Sequence, residues 1–251
     1  MIKNLDTMNM NNLDFLEKAS NEDLLTLCDI VVKDRDGKNR ISETLSQTQT
    51  YKSNYPNQIK NMLPELVTEF RKFGGNTIVN VFRGNGPGYT EILHDVADRN
   101  KVNYNKYDTD ETIEQYLLQK LFTDSLSKAS EEELKMMMEE LGLPVQDFSR
   151  QAAVAALLMA FKAGGFQSYI LLVSVVNAVV RFILGRGLNL AANAALTRMA
   201  AVITGPVGLA LTAIWTIFDI AGPAYRVTVP AVIQIAYIRQ MVNKSINKLN
   251  P

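Results

Sequence analysis

One cysteine, one histidine and one tryptophan in 251 residues leave little of the usual material for chemistry. A lone Cys28 cannot form an internal disulfide, which points to a reducing compartment. It sits in the apolar run Leu24-Leu25-Thr26-Leu27-Cys28-Asp29-Ile30-Val31, where core packing accounts for it. His94 cannot build a site that needs several histidines, and no nucleophile stands at a recognisable spacing from it or from Asp95. There is no surplus of charge either, because 26 basic and 26 acidic side chains cancel. That excludes a highly basic nucleic-acid binder, and 47% apolar residues exclude a mostly disordered chain. The opening stretch MIKNLDTMNMNNLDFLEK has no apolar run after its first lysine, so it does not read as a secretory signal. The expectation is a cytoplasmic protein, with any membrane contact made at the inner membrane from that side.

Acidic residues are almost missing from the last hundred positions. Residues 1–151 hold 18 basic and 25 acidic side chains, a net of about −7. Residues 152–251 hold 8 basic residues and a single acid, Asp219, a net of about +7. The chain joins an acidic half to a basic, strongly apolar one.

Helical periodicity dominates throughout, and the expected class is all-α: a small N-terminal helical unit plus a bundle whose C-terminal helices are strongly apolar. Residues 1–11 read as a disordered tail, 12–45 as a small helical domain, and 46–55 as a polar linker. Residues 56–150 form an acidic helical region and 151–251 the apolar, basic one. Ser20, Thr109 and Ser130 stand where helix N-caps are expected, and Glu131, Glu132 and Glu133 suit a first turn. Pro56 is expected to open one helix and Pro230 to sit in the first turn of another spanning 229–248. Residues 76–83, NTIVNVFR, suit a strand or a short helix equally.

Three patterns resemble sites and fall short. Gly84, Gly86 and Gly88 in GNGPG lack a following Gly-Lys-Ser/Thr, and the third glycine is misplaced for a dinucleotide fingerprint, so the segment reads as a helix–helix turn. Asp34, Asp36, Gly37 and Glu43 suggest a calcium loop, but aligning Gly37 puts Val32 where the first carboxylate must stand. The methionines of EEELKMMMEE read as core. No catalytic, cofactor-binding or metal-ligating residue is assigned, and no cofactor is expected. The chain reads as a non-enzymatic protein, and an enzyme using the GNGPGY loop ranks last among the alternatives.

The apolar half is more informative. Residues 199–218 carry no charge, which is the length of a membrane span, but Gly205-Pro206 interrupts them, so a hairpin of two short helices fits better. Polar residues lie in narrow stripes: Ser174, Asn177 and Arg181; Asn189, Asn193 and Thr197; Thr204, Thr212, Thr216 and Asp219. A surface helix of a soluble protein shows a wider polar face. Either these helices form the buried centre of a bundle, or they lie in or across a bilayer with the stripes turned inward. A central arginine costs roughly 2.5–3.5 kcal/mol on insertion scales and an apolar residue returns about 0.3–0.6, so a single arginine does not decide between them. A lone carboxylate among aliphatics needs a partner, and Arg181, Arg198 and Arg226 are the candidates for Asp219; the alternative is that Asp219 caps a helix end at the surface. The binding or structural candidates are Asn177, Arg181, Arg186, Asn193, Arg198, Asp219 and Arg226. The basic residues of this half are spread out without interleaved aromatics, which suits anionic lipid better than nucleic acid. The expected partner is a membrane lipid or an apolar protein surface, and self-association is compatible with either.

Two stretches also resemble a known family. FGGNTIVNVFRGNGPGYTEILHDV and LGRGLNLAANAALTRMAAVITGPVGLALTAIWTIFDIAGPAYRVTVPAVIQIA are similar to the YaaW-type family of uncharacterised bacterial proteins, which some classifications place beside ubiquinol–cytochrome c chaperones. NLDFLEKASNEDLLTLCDIVVKDRDGKNRISETL resembles the small domain of unknown function that accompanies that family. The most specific parts are Gly185-Arg186-Gly187, Thr204-Gly205-Pro206 and the run from Gly222 to Val227. The resemblance implies a bacterial source and a helical fold, supplies no catalytic residue to carry over, and makes a soluble chaperone or assembly factor the alternative function.

Overall fold

Short polar side chains set most of the helix starts. The computed structural model describes residues 12–74, 86–146, 148–188 and 222–249. Among them are nine α-helices and no strand: α1 Asn21–Val32, α2 Gln49–Asn54, α3 Leu63–Phe73, α4 Tyr89–Arg99, α5 Asp110–Lys128, α6 Glu131–Glu140, α7 Arg150–Lys162, α8 Gly165–Leu184 and α9 Gly222–Leu249. The Ser20 hydroxyl accepts the Asp23 amide at 3.1 Å, and Thr109 accepts the Thr112 amide at 3.3 Å. Ser130 and Glu133 close a reciprocal capping box at the start of α6. Each contact satisfies an amide that a first helical turn leaves without a partner. The all-α class expected from periodicity is the class observed.

The centre of the molecule is α9. It packs against α1, α3, α4, α5 and α8. Val227, Val229, Ala231, Val232, Ile233, Ile235, Ala236 and Ile238 are all at most 1% exposed. A helix apolar around its whole circumference belongs inside, and elements of the acidic half surround this one. α8 lies beside it with Leu171, Val173, Val175, Val176, Val179 and Val180 equally buried. It is the one described helix long and apolar enough to cross a membrane, and 72% of that stretch is buried within the protein. Each fully buried valine or isoleucine contributes roughly 1.5–3 kcal/mol, so the fit between the two halves is driven mainly by apolar area.

Several boundaries differ from the sequence reading. Residues 46–55, expected as linker, hold α2, because Thr48 caps it by accepting the Tyr51 amide at 3.1 Å. Tyr51 is buried and stacks on Tyr55 at 4.7 Å between ring centroids. Residues of the 12–45 unit share one continuous buried cluster with the rest of the described chain. Pro56 does not open the next helix. A 3-10 turn at Ile59–Met62 intervenes, and Pro64 occupies the first turn of α3, where a missing N–H costs nothing. Pro230 lies inside α9, which begins at Gly222 instead of residue 229. A proline in a helix interior costs about 3 kcal/mol, and the burial of its neighbours on all sides outweighs that. The tail 1–11, the segment 76–83 and the uncharged run 199–218 lie outside the described residues.

Candidate functional site

Two buried acids from the acidic half meet arginines from the basic half. The first is Glu114 on α5, 2% exposed. Arg239 of α9 donates through Nε to its Oε2 at 2.8 Å and through Nη2 to its Oε1 at 3.0 Å. The Tyr89 hydroxyl, at the start of α4, donates to Oε1 at 2.6 Å. Burial pushes the Glu114 carboxyl above its usual range, and Arg239 and Tyr89 pull it only part of the way back. Burial alone would lower the Arg239 guanidinium, but Glu114 holds it above its ordinary value. The same guanidinium covers the Phe15 ring at 3.9 Å and donates to the Asn12 carbonyl at 3.3 Å. Four separate elements are thus tied at one point.

The second acid is Asp29 on α1, fully buried. It accepts from the Tyr55 hydroxyl at 3.0 Å and pairs with Lys33 at 2.9 Å and with Arg186, just past the end of α8. Lys33 also donates to the Tyr55 oxygen. Burial alone would lower the Lys33 ammonium, but the Tyr55 hydroxyl and the Asp29 carboxylate outweigh it and raise it. The preceding residue, Cys28, is 0% exposed, and burial, reinforced by Asp29, pushes its thiol well above the ordinary value of 9.0. The thiolate is the reactive form, so Cys28 is expected to resist iodoacetamide between pH 7 and 9 and to react once urea unfolds the chain. The sign for stability follows. A raised folded value gives a contribution fully present below pH 9 and lost as pH climbs past it, and burial raises Tyr51, Tyr89 and Tyr237 in the same direction. Thermal melts should be level from pH 7 to 8.5 and fall above about 9–10.

The end of α8 is a fitted joint. Gly185 adopts φ +67, and a Cβ there would lie 3.1 Å from the Arg35 carbonyl oxygen. The Asn177 side chain, 2% exposed, accepts the Leu188 amide at 2.9 Å, and a Cβ on Gly187 would meet its oxygen at 2.4 Å. Arg35 covers the Phe182 ring at 5.5 Å. Residues 33–40 form a turn around Gly37, in which the Asp34 carboxylate accepts the Asp36 and Lys38 amides at 3.0 and 2.9 Å. Its far end carries Arg40, whose Nε is buried without a hydrogen-bond partner among the described residues. Burial lowers the Arg40 guanidinium, Asp34 opposes this, and the positive charge of Arg226 adds to it.

Of the seven candidate residues, the structure brings Asn177 and Arg186 into this joint, leaves Arg181 exposed on α8, and sets Arg226 exposed on α9 near Arg40. Asn193, Arg198 and Asp219 lie outside the described residues, and so does any pairing of Asp219. Sequence reasoning missed Asp29, Glu114 and Arg239. An acid inside an apolar run, as in Leu27-Cys28-Asp29-Ile30, was the available signal.

The remaining candidates form no reacting centre among the described residues. His94 faces the Tyr104 ring at 5.2 Å. The Tyr104 hydroxyl donates to Asp98 at 2.9 Å and is pushed up to about 12 by burial and by that contact. Beside it an open depression of about 560 Å³ is lined by Asn103, Tyr104, Asn105, Lys106, Asp108 and Tyr116. Among the described residues no group of three His, Cys, Asp or Glu side chains could hold a metal ion. Gly86, in the loop before α4, has φ +69, and a Cβ would come within 2.3 Å of the Arg71 carbonyl oxygen. Arg71 in turn donates to the Pro87 carbonyl at 2.7 Å. The loop backbone is packed onto α3. Gly86→Ala should cost more than roughly 1–2 kcal/mol. Gly88→Ala, whose added Cβ meets nothing within 4 Å, should cost less than about 1 kcal/mol by thermal denaturation.

Comparison with known proteins covers most of the chain. A family described as Ubiquinol-cytochrome C chaperone matches residues 59–233, and one described as Domain of unknown function (DUF3944) matches residues 11–41. A UPF0174 protein of Helicobacter pylori strain J99 is 44% identical over 229 residues, covering 91% of this chain and 90% of the relative. The UPF0174 protein YaaW of Escherichia coli K12 is 32% identical over 247 residues, covering 96% and 98%. A second Helicobacter pylori J99 UPF0174 protein is 39% identical over 202 residues, covering 78% and 95%. No solved structure matches.

Proposed function

The chain belongs to the ubiquinol–cytochrome c chaperone family and is similar over most of its length to bacterial UPF0174 proteins; from that premise we propose that it is a non-catalytic, chaperone-like helical protein whose apolar C-terminal half engages a membrane or an apolar partner. One observation carries this reading. The acidic half already packs against α8 and α9, and the buried acids Asp29 and Glu114 are engaged with arginines of the basic half. The uncharged run 199–218 is a further apolar stretch of the sequence. Twenty residues without a charge, flanked by Arg198 and Asp219, have the composition of a segment that enters a lipid or protein interior. The protein would act from the cytoplasmic face of the inner membrane.

Vesicle co-sedimentation and detergent-free gel filtration of the full chain test the reading together with crosslinking in bacterial cells. Support would be vesicle binding, or a crosslinked apolar partner lost when Leu209, Leu211 and Ile214 are replaced by serine. A monodisperse protein that binds no vesicle and captures nothing would overturn it.

A second reading, a wholly soluble assembly factor, draws on a different surface. Met136, Met159 and Phe166 are 38%, 71% and 63% exposed on α6, α7 and α8. Methionine and aromatic side chains adapt to varied apolar partners. Met159→Glu with Phe166→Glu would abolish partner capture on this reading and leave it intact on the first.

A further inference from the structure

We propose that the open depression between the loop 100–109 and the second turn of α5 binds a neutral saccharide, with tyrosine rings against the sugar and side-chain amides on its hydroxyls. This goes beyond the proposed function and does not depend on it.

The lining selects the class of ligand. Asn103, Asn105, Lys106 and Asp108 bring polar groups to the depression, and Tyr104 and Tyr116 bring rings. One cation and one anion cancel, so these side chains give a nucleotide or another anion no net attraction. With four of six lining residues amide or charged, the apolar surface is too small to hold a lipid tail or an apolar peptide segment. A pyranose suits both parts. Its hydroxyls donate and accept, as an asparagine amide does, and its C–H faces can cover an aromatic ring. Asn103 makes no side-chain hydrogen bond among the described residues, so its carbonyl and its NH2 both remain for a ligand. Tyr116 is 40% exposed, and Tyr107, in the same loop, is 83% exposed with Lys106 over its ring at 5.0 Å. The volume of about 560 Å³ falls within the range of small-ligand clefts.

The depression is also held in shape by contacts within the protein. The Val102 amide donates to the Ala97 carbonyl at 2.9 Å, and Asn100 Nδ2 donates to the Val96 carbonyl at 2.7 Å, which fastens the start of the loop to the end of α4. Lys101 makes the turn between them at φ 55. Tyr104 is fixed at both ends, its ring against His94 at 5.2 Å and its hydroxyl on Asp98 at 2.9 Å. The Asp108 carboxylate accepts the Asn105 amide at 2.9 Å, and the Asn105 side-chain oxygen accepts the Tyr107 amide at 3.0 Å. A site formed in advance spends little of its binding energy on ordering the loop.

Saturation-transfer NMR titrations of the full chain with maltose, cellobiose and diacetylchitobiose test this, with adenosine monophosphate as the anionic comparison. At least one disaccharide should receive saturation and the nucleotide should not. Tyr116→Ala should weaken that binding about three- to tenfold and Asn103→Ala about fivefold. Both side chains are exposed, so the thermal melt should be unchanged in each variant. No transfer to any of the three sugars, sugar binding unchanged in either variant, or tighter binding of the nucleotide would overturn the proposal.

Discussion

Glu114→Ala is expected to cost about 3–5 kcal/mol of folding stability. The loss comes less from the missing attraction than from what it strands. Arg239 would keep its charge with only 15% of its side chain in solvent, and the buried Tyr89 hydroxyl would lose its acceptor. For a chain of this length the melting temperature should fall by roughly 10 °C. Replacing both members by apolar groups of similar volume, Glu114→Leu with Arg239→Met, should recover most of the loss, because neither charge is then left in the core. Urea titrations of the two single variants and the double variant measure the coupling directly. If the double variant were as unstable as the sum of the singles, the pair would not be a unit.

The second large effect is asymmetric. Asp29→Ala removes the acceptor for Tyr55, Lys33 and Arg186 at once and should cost about 2–3 kcal/mol. Arg186→Ala should cost less than about 1 kcal/mol, since its side chain is 53% exposed and Lys33 still neutralises the buried carboxylate. The difference from the first site follows from burial. Lys33 and Arg186 can turn to water when Asp29 is lost, whereas Arg239 cannot. Equal losses in the two Asp29-site variants, by the same titration, would mean that Arg186 anchors α8 as strongly as Asp29 does.

What the sequence made legible was local. Ser20, Thr109 and Ser130 announce their helices because a cap is satisfied within three residues. The apolarity of α8 and α9 is equally plain, since periodicity needs only a window of the chain. The missed features depend on long-range contact. Asp29 and Arg186 are 157 residues apart, and Glu114 and Arg239 are 125 apart, so no spacing rule pairs them. α2 was hidden because its cap lies in a stretch whose composition reads as linker, and only the burial of Tyr51 reveals that it packs. Pro230 misled for a related reason. A proline marks a helix start in isolation, whereas here the packing of α9 carries the helix through it.

The charge split between the halves takes on a physical meaning in this arrangement. The acidic elements are not a separate domain riding beside a greasy one; they are the coat around α9 and much of α8. Two of its buried acids, Asp29 and Glu114, reach inward to meet arginines of the basic half. A chain built this way keeps α9 and much of α8 covered by its own acidic elements.

Hydrogen exchange followed by mass spectrometry, on the full chain in buffer without detergent, tests that coat most directly. Amides of residues 170–184 and 227–242 should exchange only through global unfolding, and Glu114→Ala should speed both sets together. Exchange of these segments within seconds in the wild-type protein, or their protection only when lipid or detergent is added, would contradict it.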